Sequence, residues 1–390
     1  MKPIISMYNE EELKKNAAIN FYRPYQQCSI SVMDTIADPD ISFDSNGICN
    51  YYYEYIEAEK NKVKKGAEGE IEFNRLITQI KEDGKGNEYD CILGVSGGVD
   101  SSYLAYIAKE VGLRVLCIHF DNGWNSELAV MNIENIINKC GFKLYTYVID
   151  WNEFKDIQRS YFKANVIDIE AVTDIAIFSA LDILCKKLNI KHIIDGNNVV
   201  TEVTLPPSWI CKNHSNLRDI HKQFGTVPLK SYPILSPIRR RIIARTKPFT
   251  SWQLLNYIPY FKTEAKKIII EKLGWRDYGG KHYESVFTRF YQGYILPEKF
   301  KVDKRKAHLS NLIFSEQITK EQALTELKQP IYPVELLETD YEFVIKKLGF
   351  TDEEFKDYLK KSAVPHNKYA MSLSLFDEIP AIKPLKKIFK

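Results

Sequence analysis

The chain has 390 residues, 45% apolar and 27% charged, the balance of a globular protein large enough for two or three domains. Its 54 Lys and Arg exceed its 51 Asp and Glu by only three, so bulk charge does not argue for nucleic acid. Seven scattered cysteines do not suggest a disulfide framework, no apolar run is long enough to span a bilayer, and the start MKPIISMYNEEELKK lacks a basic-then-apolar leader; the expected compartment is the cytoplasm.

In chain order, residues 1–80 open with a polar helix-like stretch, pass through a turn-rich segment (Cys28 to Asn50) and end in a helical run, Glu68 to Ile80. The Gly-containing polar stretch KEDGKGNE (81–88) marks a boundary. Residues 81–237 alternate strands with helices. Cys91–Val95, Val115–Phe120, Leu144–Ile149 and His192–Asp195 read as strands; Ser101–Val111, Glu127–Cys140, Asn152–Ala164 and Thr173–Leu188 read as helices. That alternation predicts an α/β fold, a parallel sheet with helices on both faces, whose ligands lie at the carboxyl ends of the strands. Residues 238–390 turn helical, with basic and aromatic residues interleaved and a strongly basic segment, Arg239 to Arg245. The expected helices there are Ser251–Tyr257, Lys262–Leu273, Phe287–Tyr294, Lys320–Lys328 and Asp352–Lys361.

The first strand runs into LGVSGGVDSS (93–102) and then a helix. Gly97 and Gly98 let backbone approach an anion, and the helix N-terminus points unpaired N–H groups at it. Ser96, Ser101 and Ser102 add hydroxyls, and Asp100 is placed to hold the Mg²⁺ that accompanies a triphosphate. The motif resembles the PP-loop ATP pyrophosphatases. It is not a Walker loop, because no Gly-Lys-Ser or Gly-Lys-Thr comes after it; the resemblance implies that β- and γ-phosphates are gripped as a leaving group, with ATP cleaved to AMP and pyrophosphate.

Three further segments end at the same rim. In HFDNGWNSE (119–127), Asp121 and Asn122 are candidates for ribose or adenine, while Asn125 and Ser126 serve equally well as a loop and helix cap. In DGNNVVTE (195–202), Gly196 permits a sharp exit, Asn197 is a candidate for the reacting amide or α-phosphate, and Glu202 for a magnesium site shared with Asp100. In DIEAVTD (168–174), Glu170 and Asp174 are candidates to orient or deprotonate ammonia, with a plain helix start as the equal alternative. No Cys-x-x-Cys occurs, and Cys185 sits in an amphipathic helix, which disfavours thiolate sulfur transfer.

SVMDTIADPDISFDSNGICN (31–50), YDCILGVSGGVDSSYLAYIAKEVGL (89–113), HFDNGWNSELAVMNIENI (119–136), GNNVVTE (196–202) and GGKHYESVFTRFYQGYILPEKFKVDKRKAHLSNLI (279–313) together resemble the N-acetyl sugar amidotransferases of bacterial surface-polysaccharide biosynthesis. The resemblance covers about residues 28–370 and implies conversion of an acetamido group on a nucleotide-linked sugar to an acetamidino group. It also implies ATP and Mg²⁺ as cofactors and ammonia from a separate glutaminase partner; composition and charge point to no membrane partner and disfavour nucleic acid, and a homo-oligomer is allowed. Lys281, His282, Arg289, Tyr291, Lys304 and Arg305 suit a phosphate-bearing sugar. The chain departs from the family at its N-terminus, where paired Cys-x-x-Cys motifs read Cys28-Ser-Ile-Ser31 and Cys49-Asn-Tyr-Tyr52. With two ligands missing, no structural zinc is expected. The competing readings are a tRNA-modifying enzyme of the same superfamily, using Arg239 to Arg245, and a nucleotide-binding scaffold without catalysis.

Overall fold

A computed structural model describes residues 3, 8–246, 248–280 and 283–372. Its centre is one parallel sheet of β1 (Cys91–Gly94), β2 (Val115–Asp121), β3 (Lys143–Val148), β4 (His192–Ile194) and β5 (Thr250–Trp252), in the spatial order β3-β2-β1-β4-β5. Side-chain alternation sorts the strands into two apolar faces. Cys91, Leu93, Val115, Cys117 and Ile194 point to one core; Ile92, Leu116, Ile118 and Ile193 point to the other.

The first face is covered by α1 (Gly66–Asp83), α2 (Val99–Glu110), α3 (Glu127–Cys140) and α6 (Lys262–Leu273), through residues such as Leu76, Leu104, Ile133 and Ile269. The opposite face is covered by α5 (Ala171–Leu188) through Leu184 and Cys185. The fold is therefore α/β with helices on both faces of the sheet. The remaining helix of this part, α4 (Trp151–Ala164), joins the largest core with its residues Phe154, Tyr161 and Phe162. That core is aromatic. It also takes Cys28, Met33 and Tyr55 from the N-terminal part, and Phe290, Tyr294, Tyr341 and Phe355 from the C-terminal helices.

The C-terminal part is helical: α7 (Arg305–Phe314), α8 (Lys320–Leu327), α9 (Val334–Leu348) and α10 (Asp352–Lys360) come after a π-helical turn at Tyr291–Ile295. Two differences from the sequence reading stand out. Residues 251–257, expected to be helical, form β5 and a short 3-10 turn, Leu254–Tyr257, because Thr250 to Trp252 align with His192 to Ile194 along the edge of β4. The long helix α9 is absent from the sequence-based expectations, although Leu337, Tyr341, Val344 and Leu348 recur at helical spacing and are buried.

The chain begins the sheet at β1, steps outward to β2 and β3, and returns to β4 on the other side of β1. Strand order thus reverses between β1 and β4, the place where open α/β sheets leave a crevice at their carboxyl ends. The segments 95–98 and 195–198 both leave the sheet at that crevice.

Candidate active site

The loop after β1 is shaped by two glycines. Gly97 has φ of +83°, and a Cβ there would lie 2.9 Å from the Ala129 carbonyl oxygen of α3. Gly98 caps α2, and the Ser102 hydroxyl donates back to its carbonyl at 2.6 Å. Ser96 Oγ accepts from the Gly98 N–H at 3.2 Å and lies 3.5 Å from Ser101 Oγ. The loop is thus a self-braced concavity ahead of a helix N-terminus, the arrangement that receives phosphate.

Contacts from far along the chain hold it. The Trp275 indole N–H donates to the Gly97 carbonyl at 2.7 Å, and the Tyr278 hydroxyl donates to the same oxygen at 3.1 Å. The Tyr260 hydroxyl donates to the Asp100 carboxylate. Burial, then the charges of Asp100 and Glu202, hold the Tyr260 phenol far above its ordinary range, so it stays a donor. None of these three aromatic residues stands out in the sequence; the partners are separated by 160 to 181 residues, and no local pattern encodes them.

The exit from β4 presses against this loop. A Cβ on Gly196 would lie 2.9 Å from the Ser101 backbone nitrogen, so only glycine permits this approach. Asp195 accepts from the Asn197 N–H at 2.8 Å and from the Ser251 hydroxyl at 2.9 Å, while burial raises its carboxyl above the usual range. Asn197 itself is exposed at the rim. Glu202 ends the short helix Val199–Glu202, whose cap is the Asn198 side chain.

These donors suit magnesium. Asp100 and Glu202 both act on the Tyr260 phenol, and both are hard oxygen ligands. Among the described residues no three His, Cys, Asp or Glu side chains are grouped as metal ligands.

After β2, Asp121 accepts from the Gly123 N–H at 2.8 Å and the Asn125 amide at 3.1 Å. Asn122 accepts from the Trp124 N–H at 3.1 Å and reaches Thr173 Oγ1 at 3.3 Å. Behind them His119 sits between the Val95 carbonyl (3.2 Å from Nδ1) and Asn125 (3.0 Å from Nε2). Burial lowers its pKa, so the ring is neutral, with its proton on Nδ1 facing the carbonyl. Ser126 caps α3.

The segment before α5 brings together residues from distant parts of the sequence. Glu170 accepts from Gln292 Nε2 at 2.9 Å and from Lys304 Nζ at 3.3 Å, and Asp174 pairs with Lys212 at 2.8 Å. Asp168 is buried, and its carboxyl is pushed up to about 7, chiefly by desolvation, although it accepts from the Cys211 N–H at 2.6 Å.

The other expected substrate contacts are turned inward. Arg289 forks onto Asp340 at 2.5 and 2.7 Å, and the Tyr291 hydroxyl donates to the Ile167 carbonyl. Arg305 binds Asp303 at 2.8 Å and the Gln329 carbonyl at 2.9 Å. Lys281 and His282 lie outside the described residues. In the N-terminal part, Cys28 Sγ accepts from the Cys49 N–H at 3.3 Å, and Ser31 Oγ lies 4.0 Å from Cys49 Sγ. The hydrogen bond with Cys49 holds the Cys28 thiol below its ordinary range.

Comparison with known proteins gives two domain matches. Residues 90–200 match the family described as queuosine biosynthesis protein QueC, and residues 284–380 match the C-terminal domain of LPS biosynthesis protein WbpG-like proteins. GMP synthase (glutamine-hydrolyzing) of Wigglesworthia glossinidia brevipalpis is 38% identical over 72 residues, 18% of this chain and 13% of that protein. The tRNA(Ile)-lysidine synthase of Chlamydia pneumoniae is 35% identical over 71 residues, 17% of this chain and 22% of its own. This chain therefore spans less than a quarter of either relative. The NH3-dependent NAD synthetase of Campylobacter jejuni aligns over 67% of this chain and 97% of its own at 15% identity and a TM-score of 0.30, a likeness too distant to inform function. No helix among the described residues is long and apolar enough to cross a membrane.

Proposed function

From the QueC-family match over residues 90–200 and the WbpG-like match over residues 284–380, we propose that the chain is a PP-loop, ATP-dependent, AMP-forming amidotransferase acting on a nucleotide-linked N-acetyl sugar. The observation that carries this reading is the braced loop at Ser96 to Ser102, at the reversal point of the sheet, with Asp100 and Glu202 acting on one buried tyrosine.

In this reading the loop N–H groups hold the β- and γ-phosphates, and Asp121 and Asn122 face the nucleoside. The acetamido oxygen attacks the α-phosphate beside Asn197, the α–β bond breaks, and pyrophosphate leaves. Ammonia then adds to the activated carbon, loses a proton, and AMP departs with the former amide oxygen. An amide is a poor electrophile, and turning its oxygen into a phosphate ester is what permits substitution. Mg²⁺ held by Asp100 and Glu202 would neutralise the triphosphate charge. Holding both reactants in one crevice supplies much of the remaining rate.

Lys304 and Glu170 give the site a coupling. At rest they pair with each other. A sugar-linked phosphate that draws Lys304 away frees Glu170 to orient ammonia, with Asp174 restrained beside it by Lys212. Arg289, Tyr291 and Arg305 act in this scheme by holding the scaffold that carries Lys304. The ammonia comes from a glutaminase partner.

A second reading, modification of tRNA, is favoured by the exposed Arg239, Arg241 and Arg245 on the helix 237–246. One assay separates the two. ATP, Mg²⁺ and ammonium are supplied with a panel of N-acetylated sugar nucleotides, and AMP, pyrophosphate and sugar mass are monitored. AMP formation dependent on one sugar, which loses one mass unit as NH replaces oxygen, is the expected result. AMP formation with tRNA and no sugar would overturn the sugar reading.

A further inference from the structure

Strand β3 is anomalous for a parallel sheet. Such strands are ordinarily covered on both faces, yet every residue of β3 except Tyr147 is exposed. Leu144, Tyr145 and Val148 are 40%, 39% and 69% exposed, on both faces of the strand. Among the described residues the strand is also the sheet's edge, paired only with β2. Natural edges are blunted by proline, bulges or central charges; here the single charge is Lys143, at the first position.

The outward hydrogen-bonding groups can be assigned. Ile149 donates its N–H to the Asp121 carbonyl of β2, so by alternation Lys143, Tyr145 and Tyr147 turn their backbone groups to β2. Leu144, Thr146 and Val148 turn theirs outward, with no partner among the described residues.

We infer that β3 is a homodimer seam, pairing antiparallel with β3 of a second copy about a two-fold axis through Thr146, to make one continuous ten-stranded sheet. A two-fold perpendicular to a sheet preserves its faces, so residues pair only with others of the same parity. Centred on Thr146, the register sets Leu144 opposite Val148 of the partner copy, Thr146 opposite its own mate, and Tyr145 opposite Tyr147. Apolar meets apolar, and all the outward backbone groups are satisfied.

Charge selects a second copy as the occupant. Lys143 opens the strand and the exposed Asp150 lies just past its end. Antiparallel pairing sets the positive start of one strand beside the negative end of the other, at both ends of the seam. The two Lys143 residues are held roughly 20 Å apart, at about 3.3 Å per residue. Pairing of strands alone buries less than the ~1,600 Å² of a standard interface. The helices α3 and α5, on opposite faces of the sheet, also carry exposed apolar residues, Val130, Met131 and Ile183.

The test is the mass of the full chain in solution at about 20 µM, above the ~1 µM dissociation constant at which such a dimer would form. Sedimentation should give twice the 45.3 kDa of the chain. Thr146→Lys, which puts two like charges on the axis at a position exposed in the single chain, should sediment as a monomer with an unchanged circular dichroism spectrum and a melting temperature no longer dependent on protein concentration. Thr146→Cys should give a dimer cross-linked through that position by a short bismaleimide. A monomeric parent chain, a dimer that survives Thr146→Lys, or a dimer that Thr146→Cys cannot cross-link would each overturn the assignment.

Discussion

At Gly97 a single methyl group meets two obstacles at once, a backbone angle of +83° and the Ala129 carbonyl 2.9 Å away. Because that contact is with backbone, nothing flexible can give. Gly97→Ala is expected to cost about 2–3 kcal/mol in urea unfolding and to lose pyrophosphate release. Asp100→Asn keeps an acceptor for Tyr260 but removes the charge; pyrophosphate release should fall by about 10²–10³ with the melting temperature unchanged. Full activity in that variant would remove Asp100 from the metal site. Asp168 makes a pH prediction. Its folded pKa of about 7 lies above the unfolded value, so the native state binds the extra proton and stability falls as pH rises from about 4 to 7. The loss approaches about 4 kcal/mol, and Asp168→Asn should remove it, making the variant gain on the parent between pH 5 and pH 8 in parallel urea titrations.

At the scale of elements, Arg305 ties the start of α7 to the end of α8 through the Gln329 and Leu327 carbonyls, while neutralising Asp303, which is buried. Arg305→Ala leaves that carboxylate unpaired and should cost about 3 kcal/mol, read as a lower unfolding midpoint. A raised sugar KM at unchanged stability would instead return Arg305 to the substrate. How legible an element is in the sequence depends on its ends. Helices α3 and α6 are legible to their true limits because Gly141 and Gly274, both left-handed, stop them, and Ser126 caps α3. Strand β5 is not, since three residues, Thr-Ser-Trp, carry no periodicity and are a strand only by virtue of β4 beside them. The loop from Ser96 to Ser102 stands out in the sequence because its glycines, serines and aspartate are contiguous. Tyr260, Trp275 and Tyr278 do not, because a side chain that acts on a loop across the fold leaves no spacing to find.

On the scale of the whole molecule, the sheet depends on chain that lies well beyond it in sequence. Leu254, Tyr260, Ile269 and Trp275 share one core with Leu93, Leu104 and Ile133, and β5 completes the sheet after a long excursion from β4. A fragment ending at residue 237 should therefore lack a cooperative melt, whereas one continued through residue 280 keeps this core; a sharp transition in the shorter fragment would show the sheet to be self-sufficient. The N-terminal part is bound as firmly to the C-terminal helices, where Lys306 of α7 is buried in ion pairs with Asp34 at 2.5 Å and Glu10 at 3.1 Å.

The indole of Trp275, buried and hydrogen-bonded to the Gly97 carbonyl, has an optical consequence. Any displacement of the loop that loosens this bond alters the polarity and hydrogen bonding around a fluorophore already in place. Emission recorded against the same protein bearing Trp275→Phe would isolate that one ring's signal, so the protein carries its own gauge of loop occupancy, readable without a label or a turnover assay.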